Sequence, residues 1–364
     1  MAKLVTFGEI MMRLQTKAGR RFRQSLPGDM EAIFGGAEAN VAASFALLGG
    51  QASFVSALPE NAIADACLGS LRAVGVDVSD VIRSKKGRLG IYFAEAGANQ
   101  RPSNVIYDRD YSSVSLESAG NYRWSRIFKG ADWFHTTGIT LALSKIAARA
   151  AQNAAEAAKK AGLTVSCDLN FRKKLWRWED GTAPNDLAAR VMGELLPFVD
   201  VLIANEEDVG DVLGIKDDSL DTAGGSIDVQ KYPGIAKKVA QRFPNIKKIA
   251  FTLRESISAT HNNWGCMLYD VVSDSVNFAP LAGASYAPYH VTDIVDRIGG
   301  GDSFGAALIY ASLDDELGAN DARIAAFAAA ASCLCHSVYG DFNYSTKSEV
   351  LTLMNGGTSG RIVR

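Results

Sequence analysis

After residue 122 the chain keeps one rhythm: a short, unbroken apolar run, then a helical stretch, then another apolar run. Residues 131–136, 163–169, 199–203 and 248–253 read as strands, and 144–161, 187–196 and 235–243 as helices. A strand that is apolar at every position has both faces covered, which is the situation in a parallel sheet flanked by helices. The pattern predicts an α/β fold: a doubly wound, mainly parallel central sheet with helices on both faces. The start of the chain agrees, with strands over 3–8 and 51–58 and helices over 35–48 and 65–74. Two stretches break the rhythm. Residues 10–34 mix Arg13, Lys17, Arg20, Arg21 and Arg23 with glycine and proline, which does not look like core. Residues 89–94 and 104–107 alternate apolar and polar side chains, as half-exposed strands do. Residues 217–230, acidic and rich in Gly and Ser, read as a loop.

Composition narrows the function classes. A net charge of −2 over 364 residues gives no electrostatic case for nucleic acid or an anionic membrane. No apolar stretch is long enough to span a bilayer, and the N-terminus does not resemble a signal peptide. Five scattered cysteines suggest reduced thiols and a cytoplasmic location. Cys333, Cys335 and His336 lack a second ligand pair and read as small or buried helical residues rather than a metal site.

In such sheets ligands bind beyond the carboxyl ends of the strands. Polar groups gather there: Glu9; Asp168, Asn170 and Arg172; Asn205, Glu206, Glu207 and Asp208; Thr252 and Arg254. The last such segment is Asp296-Arg297-Ile298-Gly299-Gly300-Gly301-Asp302, followed by predicted helices over 303–312 and 321–338. Glycines allow close backbone approach to a ligand, and the helix start favours an anion, above all phosphate. A carboxylate at that place makes sense as the base that takes a proton from a hydroxyl attacking the phosphate.

With these residues the chain resembles the ribokinase-like (PfkB) carbohydrate kinases over nearly its whole length. Gly35-Gly36-Ala37-x-x-Asn40-x-Ala42 and Asp296-x-x-Gly299-x-Gly301-Asp302-x-Phe304 carry the match. Gly8-Glu9, Glu38, Tyr107-Asp108-Arg109, Asp168-Leu169-Asn170-x-Arg172, Asn205-Glu206-Glu207 and Gly340-Asp341-Phe342-Asn343 make it most similar to 2-keto-3-deoxygluconate kinases. The resemblance implies ATP-dependent phosphorylation of a sugar-acid hydroxyl. Asp302 would be the general base, and the amides of Gly299, Gly300 and Gly301 an anion hole. Gly35, Gly36, Asn40, Tyr92, Tyr107, Arg109, Arg172 and Asp341 would meet the sugar acid, with the two arginines suited to its carboxylate. Asn170, Asn205, Thr252, Arg254, Gly299 and Gly301 would meet ATP. Glu207 and Asp208 would act on Mg²⁺ through water, and a monovalent cation is left open. Arg297 and Ile298 stand where the family has a hydroxylated pair.

The resemblance also divides the chain into a kinase core (1–9, 35–86 and 111–364) and a β-sheet lid (10–34 and 87–110). The lid would pair between subunits, giving at least a homodimer. Two alternatives stay open: another sugar kinase (fructokinase, other hexose or aldonate, or nucleoside), and a catalytically silent sugar- or nucleotide-binding regulator. A dinucleotide-dependent dehydrogenase would need its glycine fingerprint after the first strand, and Gly8-Glu9-Ile10 does not supply one.

Overall fold

The computed structural model describes residues 2–17, 19–216 and 227–357, so most of the expected loop, residues 217–226, lies outside the described residues. The strands that position the site are β1 (Lys3–Phe7), β2 (Met11–Gln15), β3 (Glu31–Gly35), β4 (Gln51–Val55), β5 (Val76–Asp77), β6 (Gly90–Glu95), β7 (Asn104–Asp108), β8 (Trp133–Thr137), β9 (Thr164–Asp168), β10 (Val201–Ala204), β11 (Lys248–Ser258), β12 (His261–Asp270), β13 (Ser275–Ala279) and β14 (Tyr289–Val291). The main helices are α1 (Ala37–Leu47), α2 (Ala62–Ala73), α3 (Lys145–Lys160), α4 (Pro184–Leu195), α5 (Glu206–Leu213), α6 (Tyr232–Arg242), α7 (Gly300–Leu313) and α8 (Asp321–Cys335).

The central sheet has the order β13-β12-β11-β10-β9-β8-β1-β4-β5, with β14 also paired to β12. From β5 to β11 every pairing is parallel, and those to β12, β13 and β14 are antiparallel. Successive strand residues enter opposite cores. Leu4, Phe54, Trp133, Ile203 and Ala250 pack with α1, α2, α7 and α8. Val5, Val55, Phe134, Leu202 and Ile249 pack with α3, α4, α5 and α6. This two-residue alternation buries both faces and accounts for the unbroken apolar runs.

Three expectations change in detail. The strand expected over 51–58 stops at Val55. The chain then turns so that the Ser56 carbonyl accepts the Ile82 N–H, and Ala57–Pro59 pairs in a separate small sheet. The strand expected over 248–253 runs on to Ser258 and returns at once as β12, a reversal short enough to give only an antiparallel partner. Its outer half, from Arg254 to Ser258, stands beyond the core and carries a single apolar residue, the exposed Ile257. Helix α5 was not expected. Its sequence mark is Asn205, whose side chain accepts the Asp208 N–H at 2.7 Å, followed by an acidic first turn.

A second sheet, order β3-β2-β6-β7, stands over the carboxyl ends of the central strands. Met11, Tyr92 and Ala94 on its inner face pack with Val105 and with Ile298. The β6–β7 hairpin reaches across to the β11–β12 hairpin, where the Ala259 N–H donates to the Asn99 carbonyl at 2.7 Å. Gly36 joins β3 to α1. A Cβ there would run into the Glu9 carbonyl oxygen and the Ile10 Cα, so only glycine lets these segments cross. Arg13 corrects the view of residues 10–34 as non-core: it is 2% exposed, the largest fully buried side chain after Trp176.

Candidate active site

A cleft of about 360 Å³ opens at the carboxyl ends of β1, β9, β10 and β11, beneath the second sheet. It is built around the start of α7. Gly299 is the N-cap, with φ +87° and no capping side chain. A Cβ on Gly299 would strike the Asp341 carbonyl, whereas one on Gly301 would meet nothing within 4 Å. The Gly300 and Gly301 amides have no capping side chain and line the cleft at the positive end of a helix dipole, an arrangement suited to an anion.

Asp302 stands in the first turn of that helix. The Asn40 side-chain amide donates to its Oδ2 at 2.7 Å, and the Asn40 Oδ1 in turn accepts the Gly36 N–H at 3.1 Å. Enclosure by protein pushes the Asp302 carboxyl up to about 6; the Asn40 bond opposes this. The group is still mainly ionised at neutral pH, with the raised basicity of a proton acceptor.

A second set of carboxylates lines the far wall. Burial raises Asp168 well above the usual range, and repulsion from Asp208 and Asp302 adds to it. Burial likewise pushes Asp208 up to about 7, opposed by the Arg172 guanidinium. Asn170 takes a positive φ of 38° so that its N–H reaches the Asp168 Oδ1 at 3.0 Å. Glu207 lines the same wall. These are hard oxygen donors of the kind Mg²⁺ accepts, and among the described residues no group of three or more His, Cys, Asp or Glu forms a ready metal cage.

Under the second sheet the side chains are already joined to one another. Asp341 accepts the Tyr92 hydroxyl at 2.6 Å and Arg13 at 2.9 Å. Arg13 also donates to Asp296 at 2.7 Å, and Asp296 accepts the amides of Ile298 and Gly340. Arg109 donates to the Glu9 carboxylate through Nε at 2.8 Å and again through the guanidinium end, and lies over the Tyr107 ring. Arg172 is exposed to the cleft and uses one N–H on the Phe171 carbonyl. Thr252 and Arg254, two residues apart on β11, share one face and line the cleft.

A family model described as pfkB family carbohydrate kinase matches residues 1–242. A 2-dehydro-3-deoxygalactonokinase from Haloferax volcanii is 32% identical over 360 residues, covering 99% of this chain and 98% of the relative. The chain belongs to the pfkB family of carbohydrate kinases. A solved 2-dehydro-3-deoxygluconokinase from Thermotoga maritima is 42% identical, with a TM-score of 0.87, over 98% of this chain and 100% of that one. A fructokinase from Xylella fastidiosa with bound ATP shares the fold at a TM-score of 0.73 and 22% identity, over 97% of this chain and 98% of that one.

Of the residues of this pfkB kinase given a catalytic, substrate, ATP or Mg²⁺ role from the sequence, all but Gly35 line the cleft, and the Gly35 backbone packs on the Asp341 carboxylate. Three expectations shift in emphasis. Arg109 is neutralised internally by Glu9, whereas Arg172 is exposed to the cleft with one N–H on a backbone carbonyl. Asn205 spends its side-chain oxygen on capping α5. Both Asp341 oxygens are engaged by Arg13 and Tyr92. Arg13 itself was missed, because a basic residue among glycines and prolines reads as surface. Its signal was the alternation of β2, Met11-x-Arg13-x-Gln15, which puts Arg13 on the inner face.

Proposed function

We propose that this kinase transfers the γ-phosphoryl group of ATP to the 6-hydroxyl of 2-keto-3-deoxygluconate (2-dehydro-3-deoxy-D-gluconate). The observation that carries the chemistry is the pairing of Asp302, held by Asn40, with the uncapped amides of the same helix start. Asp302 takes the proton from the attacking hydroxyl. The amides of the glycine loop take the charge that develops on the transferred group, and positioning with charge stabilisation is most of what phosphoryl transfer needs. Mg²⁺ bound with ATP would be held mainly through waters by Glu207 and Asp208 and would screen the triphosphate.

The acceptor follows from Arg172, an exposed guanidinium in the cleft. A sugar acid brings a carboxylate that pairs with it, and a neutral hexose does not. The kinase relatives that act on 2-dehydro-3-deoxy sugar acids support this choice. Gly36, Tyr92, Tyr107 and the Arg109–Glu9 pair would shape the acceptor pocket. The second sheet, residues 10–34 and 87–110, would act as a lid that excludes water. Its outer face exposes Ile106 at 50%, and a second copy would cover it in a cytoplasmic homodimer.

An ADP-release assay across 2-keto-3-deoxygluconate, its C4 epimer, fructose and ribose tests the proposal. Turnover of fructose or ribose with none of either sugar acid would sink the acceptor assignment.

A further inference from the structure

Buried and half-buried cations in this protein are generally matched by carboxylates. Arg13 has Asp296 and Asp341, Arg109 has Glu9, and Lys248 has Asp270 and Asp321. Arg297 departs from this. It lines the cleft two residues before Gly299, and its hydrogen bonds go to neutral acceptors, the Asn262 Oδ1 and the Ser256 Oγ, the latter at 3.3 Å. The nearby charged side chain is another cation. Burial and repulsion from Arg254 together hold Arg297 below the usual guanidinium range. Arg254 lines the same wall. The adjacent Asp296 is turned away to Arg13, and His336, against Gly300, is kept neutral by burial and by these two arginines.

Arg297 is half-buried among neutral partners, while Arg254 is exposed and interacts with Glu206; a second guanidinium beside Arg297 is unfavourable unless an anion joins the pair. The direction of Arg297 says which anion. Its neighbour Ile298 packs under the lid with Met11, Tyr92 and Ala94. Arg297 points the other way, to the β11–β12 hairpin. It therefore serves the glycine-amide end of the cleft and not the end under Tyr92 and Tyr107.

Building on the proposed kinase activity, we propose that Arg297, together with Arg254, grips the terminal phosphates of the nucleotide. The charge that neutralises the triphosphate then comes from a side chain on the glycine loop itself. Because this loop also contributes the anion-hole amides, gripping the phosphates would fix the loop at the moment the amides are needed. The site distinguishes nucleotides by their phosphates beyond the first.

Calorimetric titration of ADP and AMP into wild type, Arg297→Gln and Arg297→Lys tests this, alongside KM for ATP and for the acceptor. Loss of a charge-assisted contact should weaken ADP binding about 10- to 100-fold in Arg297→Gln, leave AMP binding within about twofold, and raise the ATP KM in step. The acceptor KM should not move, and Arg297→Lys should recover part of the loss. Arg254→Gln should weaken ADP binding too, and the double variant should be non-additive. Unchanged ADP binding in Arg297→Gln, an equal loss for AMP, or a rise in acceptor KM alone would overturn the proposal. These titrations need no acceptor. A wild type that binds ADP but phosphorylates no sugar acid would refute the acceptor assignment and leave the grip to be judged on its own.

Discussion

The Asn40 side-chain amide meets the Asp302 carboxylate at 2.7 Å across 262 residues of sequence, so the two family signatures are one hydrogen-bonded unit. Asn40 holds the carboxylate in place and favours its ionised form, against the burial that raises it to about 6.

A pH profile reads this directly. The rate should fall on the acid side with a midpoint near 6, because the base must be ionised. Asn40→Ala removes a donor to the charged form and should move that limb to higher pH. Asp302→Asn should lower kcat by about 10²- to 10⁴-fold. Stability should move the other way. The folded carboxyl binds its proton more tightly than the unfolded one, so its ionisation weakens the fold as pH rises from the usual carboxylate value of 3.8 through about 6. At pH 8 Asp302→Asn should thus gain up to about 2–3 kcal/mol in urea denaturation. A variant that lost both activity and stability would contradict the assignment.

The two arginines near the acceptor end should respond differently. Arg172→Gln removes an exposed guanidinium, so stability should change by less than about 0.5 kcal/mol while the sugar-acid KM rises about 10- to 100-fold. Arg109→Met leaves the buried Glu9 carboxyl without its partner, at a cost of about 3–5 kcal/mol. Denaturation and steady-state kinetics on both variants separate binding from structure; similar stability losses in the two would refute the distinction.

Arg13 ties β2 of the second sheet to both Asp296 and Asp341. Arg13→Met should cost about 3–5 kcal/mol. Adding Asp296→Asn should return part of it by removing one unmatched charge. Additive losses in the double variant would show that the charges are not coupled.

Gly299 and Gly301 make a matched pair. Gly299→Ala forces a Cβ into the left-handed region and against the Asp341 carbonyl, for a loss of about 1–3 kcal/mol and of activity. Gly301→Ala meets open space within α7 and should stabilise the helix by about 0.5–1 kcal/mol. It should nevertheless raise the ATP KM, since the methyl group occupies the anion's place. Thermal melts with nucleotide titrations decide both, and a Gly301→Ala enzyme with normal ATP affinity would remove the phosphate from this position.

The sheet was legible because its strands are buried on both faces, so sidedness left no ambiguity at Leu4–Val5, Trp133–Phe134 or Leu202–Ile203. The cleft residues were legible as polar groups placed just after such strands. Pairing between distant side chains was not. The alternation of β2 marks the face on which Arg13 lies, but nothing local marks its partners, since Asp296 and Asp341 are more than 280 residues away. Arg109 likewise carries no sign that Glu9 neutralises it. Propensity also fails at β11, where Arg254 to Ser258 belong to a hairpin held by backbone pairing with β12 rather than by burial.

The uncapped start of α7 has one more consequence. Its donors are main-chain amides, which every residue except proline possesses, so most single substitutions at 300 or 301 leave an N–H in place. The donors themselves are thus largely beyond the reach of mutation. What can be lost is the path of the loop, set by Gly299 against the Asp341 carbonyl. Variation here is constrained by shape rather than by chemical identity, and inactivating changes should cluster at the residues that bend the loop.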